Sequence, residues 1–203
     1  MKLITMVARI DEEKCTGCQT CVKVCPTLAI KMNGRKAKVD VEKCRGCGNC
    51  NQRCPSYAVT MEKLDKPYKV FVRIDDLPYE KIEGLCKKAK LNPEQIICYC
   101  TATRAEEAAA AILKGAVSPE EVSLLTGIRT GCKVECIQPV LRLLEANGVK
   151  PKRPEGGFQW YGRTPTAWEI PEEVKEKYNH RGFYFNEDIK LLDAVREAGK
   201  EGK

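Results

Sequence analysis

The chain opens with short apolar-rich stretches whose lengths suit strands rather than helices: Leu3 to Ile10, Ala29 to Met32, Lys36 to Asp40 and Tyr57 to Leu64. Asn33-Gly34, between the second and third, is a strong signal for a two-residue hairpin turn. Beyond Leu64 the period changes. Pro67 and Pro78 punctuate a linker, after which Tyr79, Ile82, Leu85, Cys86 and Ala89 fall on one helical face. Asn92, Pro93 and Glu94 read as the cap and first positions of a short turn. Thr103 to Glu106 and Ser118 to Glu121 have the form of capping boxes, the second with Pro119 at the first helical position. They predict helices over about 103–114 and 118–125, closed by Gly115 and Gly127; a third helix, Val134 to Ala146, stops at Asn147-Gly148. From Pro151 onward proline and glycine interrupt so often that only 187–198 reads as helix, between Asn186 and Gly199. The pattern predicts an α+β chain: a small strand-bearing domain (1–66), a linker with a helix (67–92), an all-helical domain (93–150) and an extended, irregular C-terminal arm (151–203).

An internal repeat explains the first domain. Residues 11–32 align without gaps on residues 40–61, with 11 of 22 positions identical, four of them cysteines and one a proline. The 203 residues hold 13 cysteines, an odd number that a closed set of disulfides could not use up. The first residues lack the apolar core of an export signal, and no stretch approaches the roughly 20 apolar residues of a membrane span. The expectation is a soluble, cytoplasmic protein whose cysteines are metal ligands. The 35 basic and 28 acidic residues give +7, which by itself would point to a polyanionic partner, but that sum omits ionised thiolates and metal.

Each repeat contains the run Cys-x2-Cys-x2-Cys-x3-Cys-Pro: Cys15, Cys18, Cys21, Cys25 and Pro26 in the first, Cys44, Cys47, Cys50, Cys54 and Pro55 in the second. A tight loop with two-residue gaps can point three thiolates at one cluster, and the fourth must come from elsewhere. Zinc has no use for a repeated third and fourth cysteine followed by proline, and inert buried thiols would not repeat in register. Residues 3–64 resemble the clostridial-type ferredoxin with two 4Fe-4S clusters. The resemblance implies crossed ligation: Cys15, Cys18, Cys21 and Cys54 for cluster I, and Cys44, Cys47, Cys50 and Cys25 for cluster II.

A second group consists of Cys98-x-Cys100 and, after 31 residues, Cys132-x3-Cys136. The CxC, the threonine and acidic residues behind it, and Arg129-Thr130-Gly131 leading to the second pair resemble the bacterioferritin-associated-ferredoxin-like 2Fe-2S domain. Such domains also occur fused to or accompanying FAD-dependent dehydrogenases of glycerol-3-phosphate, proline and other amines or amino acids. The resemblance implies that Cys98, Cys100, Cys132 and Cys136 hold one 2Fe-2S cluster. Those domains usually separate the last two cysteines by two or four residues, whereas Lys133, Val134 and Glu135 make it three here. Four thiolates also suit zinc. With three oxidised clusters at formally −2 each, the net charge falls to about +1. Cys86, on the apolar face of its helix, reads as a small buried hydrophobe, and the lone His180 as a solvated surface residue.

No nucleophile–base set and no phosphate-cradling glycine loop is present in the sequence. The resemblances imply a non-catalytic iron-sulfur subunit. It would relay single electrons between a larger flavoprotein of a dehydrogenase complex, carrying FAD or FMN, and a soluble ferredoxin or quinone-linked acceptor. Eight of the 13 aromatic residues lie beyond Pro151, among them Phe158, Trp160, Tyr161, Trp168, Phe183, Tyr184 and Phe185, which makes 151–203 a candidate docking extension for that flavoprotein. The alternatives are a free ferredoxin or a reductant of a ferritin, and a redox-responsive nucleic-acid-binding regulator. The last is suggested by a helix-turn-helix cadence, but its second helix carries Glu120 and Glu121 and no arginine or lysine before Arg129. Neither nucleic acid nor a membrane span is expected.

Overall fold

A computed structural model describes residues 1–150 and 162–198. In its N-terminal part β1 (Lys2–Ile10) pairs antiparallel with β4 (Val59–Val70), and β2 (Ile30–Asn33) pairs with β3 (Lys36–Val39). Two short helices, α1 (Thr20–Val24) and α2 (Asn49–Gln52), stand at equivalent places in the two repeats. Ile4, Val7, Ala8, Ala29, Ile30, Ala37 and Val59 are buried together with Cys21, Cys25, Cys44 and Cys50, so the core of this domain is built around its thiols.

Two local expectations shift. Asn33 pairs with Lys36, so the hairpin turn consists of Gly34 and Arg35, one residue later than expected, with glycine supplying a φ of +59°. The last strand does not stop at Leu64. Its register jumps between Met6↔Lys63 and Ile4↔Tyr68, so residues 64–67 oppose Thr5 alone. This bulge accommodates Pro67, which has no N–H to give the ladder, and pairing resumes as far as Lys2↔Val70.

The second domain contains α3 (Tyr79–Lys88), β5 (Ile96–Cys98), β6 (Thr103–Arg104), α4 (Ala105–Leu113), α5 (Pro119–Thr126) and α6 (Ile137–Ala146). It is not all-helical: β5 and β6 pair around the CxC loop, with Cys98 opposite Thr103. The pairing explains the shifted cap of α4. Thr103 is drawn into β6, its hydroxyl 2.7 Å from that of Thr101, and Arg104 takes the cap position and donates its N–H to Glu107 (2.8 Å). Ser118 caps α5 by accepting from the Glu121 N–H (3.2 Å). In α4, Ala105, Ala108, Ala109, Ala110 and Ala111 are all fully buried, and the helix packs on α3, α5 and α6. Side chains this small let a central helix be surrounded without voids. Cys86 lies wholly inside this core, and burial, reinforced by Glu106 and Glu83, pushes its thiol up to about 12. The third helix begins at Ile137 rather than Val134, which is exposed, because Cys136 occupies the cap. Glu120 is buried and paired with Arg129 at 3.4 Å, so the helix-turn-helix cadence corresponds to packed helices rather than to a reading face.

The C-terminal arm is more regular than expected. A 3-10 turn (Ala167–Glu169) precedes α7 (Glu172–Asn179) and α8 (Phe185–Glu197). Pro171 stands at the cap of α7, followed by Glu172 and Glu173 in the first turn, so this proline starts a helix instead of breaking one. Tyr184, not Asn186, occupies the cap of α8. The arm returns to the second domain. The Gln138 side chain donates to Gly162 O and accepts from Thr164 N–H, both at 2.9 Å, and Arg163 meets Glu145 at 2.5 Å. Asn92 Nδ2 donates to the carbonyls of Val195, Arg196 and Ala198 at 3.2, 3.3 and 2.7 Å, closing the end of α8. Trp168 is half-buried and donates to Asp193, while Phe183 and Tyr184 are exposed. Phe158, Trp160, Tyr161 and Gly199 lie outside the described residues. His180 is exposed at the end of α7. Among the described residues no helix is long and apolar enough to cross a membrane.

Candidate functional site

The two repeats build the same loop twice. Asp11 Oδ1 accepts from the N–H groups of Glu13 and Lys14 (2.9 and 3.2 Å), and Asp40 Oδ1 accepts from that of Lys43 (3.3 Å). Each aspartate carbonyl then receives the N–H of the first cysteine, Cys15 at 3.0 Å and Cys44 at 3.1 Å. Gln19 and Gly48 are both left-handed and turn the chain into α1 and α2, on which Cys21 and Cys50 sit buried. After the fourth cysteine of each run, Leu28 and Tyr57 reverse the chain at φ +52° and +53°. That reversal aims the Ala29 N–H at Cys25 Sγ (3.2 Å) and the Ala58 N–H at Cys54 Sγ (3.3 Å).

The result is two cavities whose thiols do not divide by repeat. Cys15, Cys18 and Cys21 share one with Cys54, walled by Ile10, Ala37 and Val59. Cys44, Cys47 and Cys50 share the other with Cys25, walled by Ala8, Ile30 and Met61. Cys50 is pushed up to about 12 by burial and then by Cys47, Cys25 and Cys44, and burial also raises Cys21. Cys18 is lowered by the Thr20 hydroxyl and N–H. At Cys54 burial opposes ionisation, but the Ser56 hydroxyl and nearby N–H groups outweigh it and lower the thiol. Four thiols lining one cavity, apolar walls and backbone donors aimed at sulfur fit a cubane, whose cationic irons would offset the mutual repulsion of the thiolates.

The other four predicted cysteines meet across the second domain. Cys98, in β5, hydrogen-bonds through its side chain to Cys136 at the cap of α6, and both are buried. Cys100 and Cys132, both exposed, form the second contact: Cys100 Sγ accepts from Cys132 N–H at 3.4 Å. Cys98 is lowered to about 5 by Cys136, against burial, with further donors from Thr101 and the Arg129 backbone; Cys136, the partner that keeps the proton, is raised. Two pairs of thiols, each drawing one member from each segment, fit a binuclear cluster in which each iron takes two sulfurs.

Two family models match the chain: a 4Fe-4S dicluster domain over residues 8–55, and a BFD-like 2Fe-2S binding domain over residues 96–146. The chain carries a dicluster domain followed by a BFD-like domain. No curated protein and no solved structure gives a significant match.

Around the sites stand further residues, of which sequence reasoning named only those next to the second cysteine pair, Arg129, Thr130, Gly131 and Lys133. In the dicluster domain, Gly46 packs so closely that an added Cβ would lie 2.5 Å from Met6 O. In the BFD-like domain, a Cβ on Gly131 would lie 2.5 Å from Cys100 Cβ. Gly131, which with Arg129 and Thr130 forms the run that leads to the second cysteine pair, stands immediately before Cys132. Arg129 and Lys133 flank Cys132 at φ +65° and +64°, strained values for residues with side chains. Between the domains, Lys2 Nζ donates to Thr130 Oγ1 (2.6 Å), Arg45 Nε donates to Leu124 O (2.9 Å), and Lys133 Nζ donates to Val24 O. Nothing in the sequence pattern marks these three cations.

Proposed function

We propose that this protein is a non-catalytic electron-transfer subunit. In this reading Cys15, Cys18, Cys21 and Cys54 hold one 4Fe-4S cluster, Cys25, Cys44, Cys47 and Cys50 a second, and Cys98, Cys100, Cys132 and Cys136 a 2Fe-2S cluster. Bound there, the clusters supply one-electron storage and transfer. The observation that supports the reading is that Cys54 lines one cavity with Cys15, Cys18 and Cys21, and Cys25 another with Cys44, Cys47 and Cys50, while Cys98 meets Cys136 and Cys100 meets Cys132. The protein's own groups prepare these places: the Ala29 and Ala58 N–H groups and the Thr20 and Ser56 hydroxyls stabilise negative sulfur, and apolar walls exclude water. Anaerobic analysis should give about 10 iron and 10 acid-labile sulfide per chain. About 8 of each with one zinc would refute the 2Fe-2S assignment.

The donor or acceptor in this reading is a larger flavoprotein bearing FAD or FMN, in a cytoplasmic complex, with the C-terminal arm as part of its docking surface. Exposed Phe183, Tyr184, Leu191 and Val195 support it, because they offer apolar contact area on the part of the chain that lacks cysteine. Anaerobic purification from the native source tests it: a flavoprotein should accompany the chain, and a ferritin or nucleic acid in its place would overturn it.

A further inference from the structure

The dicluster domain is a near-symmetric object placed in an asymmetric setting. Its two thiol cavities are related by the repeat, yet the contacts described between the domains fall on the side of the cavity of Cys25, Cys44, Cys47 and Cys50. Arg45, next to Cys44, reaches Leu124 O in α5 at 2.9 Å, where the first repeat has Thr16. Lys133, next to Cys132, reaches back to Val24 O beside Cys25. Lys2 reaches Thr130 at 2.6 Å, and Gly127 packs against its stem so tightly that a Cβ would lie 2.8 Å from Lys2 Cβ.

The two lysines are also placed between thiols. Burial and Arg45 work against the charge on Lys2, whereas Cys47 and Cys44 of the first domain and Cys98 of the second favour it. Lys133 follows Cys132 directly, and its ammonium lies on the carbonyl of Val24, the residue before Cys25. A half-buried cation shared by two anionic sites is screened little by solvent, and it favours added negative charge on either one.

We infer that Lys2 and Lys133 are positioning residues of an internal junction that holds the Cys25/Cys44/Cys47/Cys50 site against the BFD-like site and couples the two electrostatically. The second cubane site is then the relay, and the Cys15/Cys18/Cys21/Cys54 site is the outer terminal. This rests on the cluster reading above, whose own failure would appear as missing iron and sulfide in the wild-type chain.

The test compares the full wild-type chain, purified anaerobically, with the double variants Lys2→Met/Lys133→Met and Lys2→Arg/Lys133→Arg. In EPR-monitored redox titrations the methionine variant should shift the second cubane and the 2Fe-2S centre to more negative potential. The first cubane should stay in place, and the arginine variant should restore wild-type values. A shift shared by the first cubane, no shift at all, or an arginine variant that behaves like the methionine one would overturn the inference. A second measurement does not depend on the lysine variants assembling. In the wild type, reduction of the neighbouring cubane should broaden and speed relaxation of the 2Fe-2S signal. Cys47→Ala should abolish that effect and Cys18→Ala should leave it, and the reverse pattern would overturn the order.

Discussion

Gly46→Ala isolates the geometric demand of the cysteine loop from its chemistry. Gly46 lies between Cys44 and Cys47 at φ +61°, where a side chain costs about 1–2 kcal/mol. Its Cβ would also lie 2.5 Å from Met6 O, and that carbonyl cannot retreat easily because Met6 belongs to β1 and is paired with Lys63 of β4. Overpacking of this kind adds about 1–3 kcal/mol. Gly48, two residues on, is a matched control: its φ is +71°, but a Cβ there meets nothing within 4 Å, so Gly48→Ala should bear only the conformational cost. The gap between the variants is therefore about 1–3 kcal/mol, roughly 5- to 150-fold in an equilibrium constant at about 1.4 kcal/mol per decade. Anaerobic denaturant titration, followed by circular dichroism and iron retention, should show a lower midpoint for Gly46→Ala than for Gly48→Ala. The first EPR signal to disappear should be that of the Cys25/Cys44/Cys47/Cys50 site. Equal midpoints for the two variants would show that the close approach of Gly46 to β1 is not a constraint.

Three further outcomes follow from the described geometry. Cys25→Ala should damage the cubane of Cys44, Cys47 and Cys50, by loss or conversion to a three-iron form seen by EPR, and leave that of its own repeat intact; damage confined to the latter would rule out crossing. Gly131→Ala, whose Cβ would press on Cys100 Cβ and Sγ at 2.5 and 2.7 Å, should remove about 2 iron per chain while both cubane signals remain. Asn92→Ala removes the donor to three carbonyls at the end of α8 and should cost that contact about 1–2 kcal/mol, read as faster hydrogen exchange over 185–197 with unchanged iron content.

What could be read in advance was whatever chemistry writes into spacing. Cysteine runs repeated at 29 residues bring their pattern with them, because two-residue gaps limit how far apart successive sulfurs in a loop can lie. Helices with their own start signals were legible for the same local reason, as at Ser118 and Pro119. Features decided by distant partners were not. Pro67 argued for a linker, and only the bulge opposite Thr5 lets the strand run past it. Thr103 had the credentials of a cap, but pairing with Cys98 claims it for a strand. In the arm, Pro171 read as an interruption because a proline that opens a helix and one that ends a strand look alike without the fold. The cations at the domain boundary were invisible for a different reason: Lys2, Arg45 and Lys133 are unremarkable among 35 basic residues until tertiary structure brings two thiol sites to either side of them.

The exchange of cysteines between the repeats has a consequence in time. A newly made chain presents Cys15, Cys18 and Cys21 first, but the fourth thiol of their cavity is Cys54, which emerges 33 residues after Cys21. At roughly 5–20 residues per second, three thiols wait about 2 to 7 seconds for their partner. Cys25 must wait in turn for Cys44, Cys47 and Cys50. In the proposed reading neither half of the domain can be finished while the other is unmade, so iron and sulfide would have to reach a chain already synthesised past Cys54, and a ribosome stalled between the repeats would leave a product with no complete site.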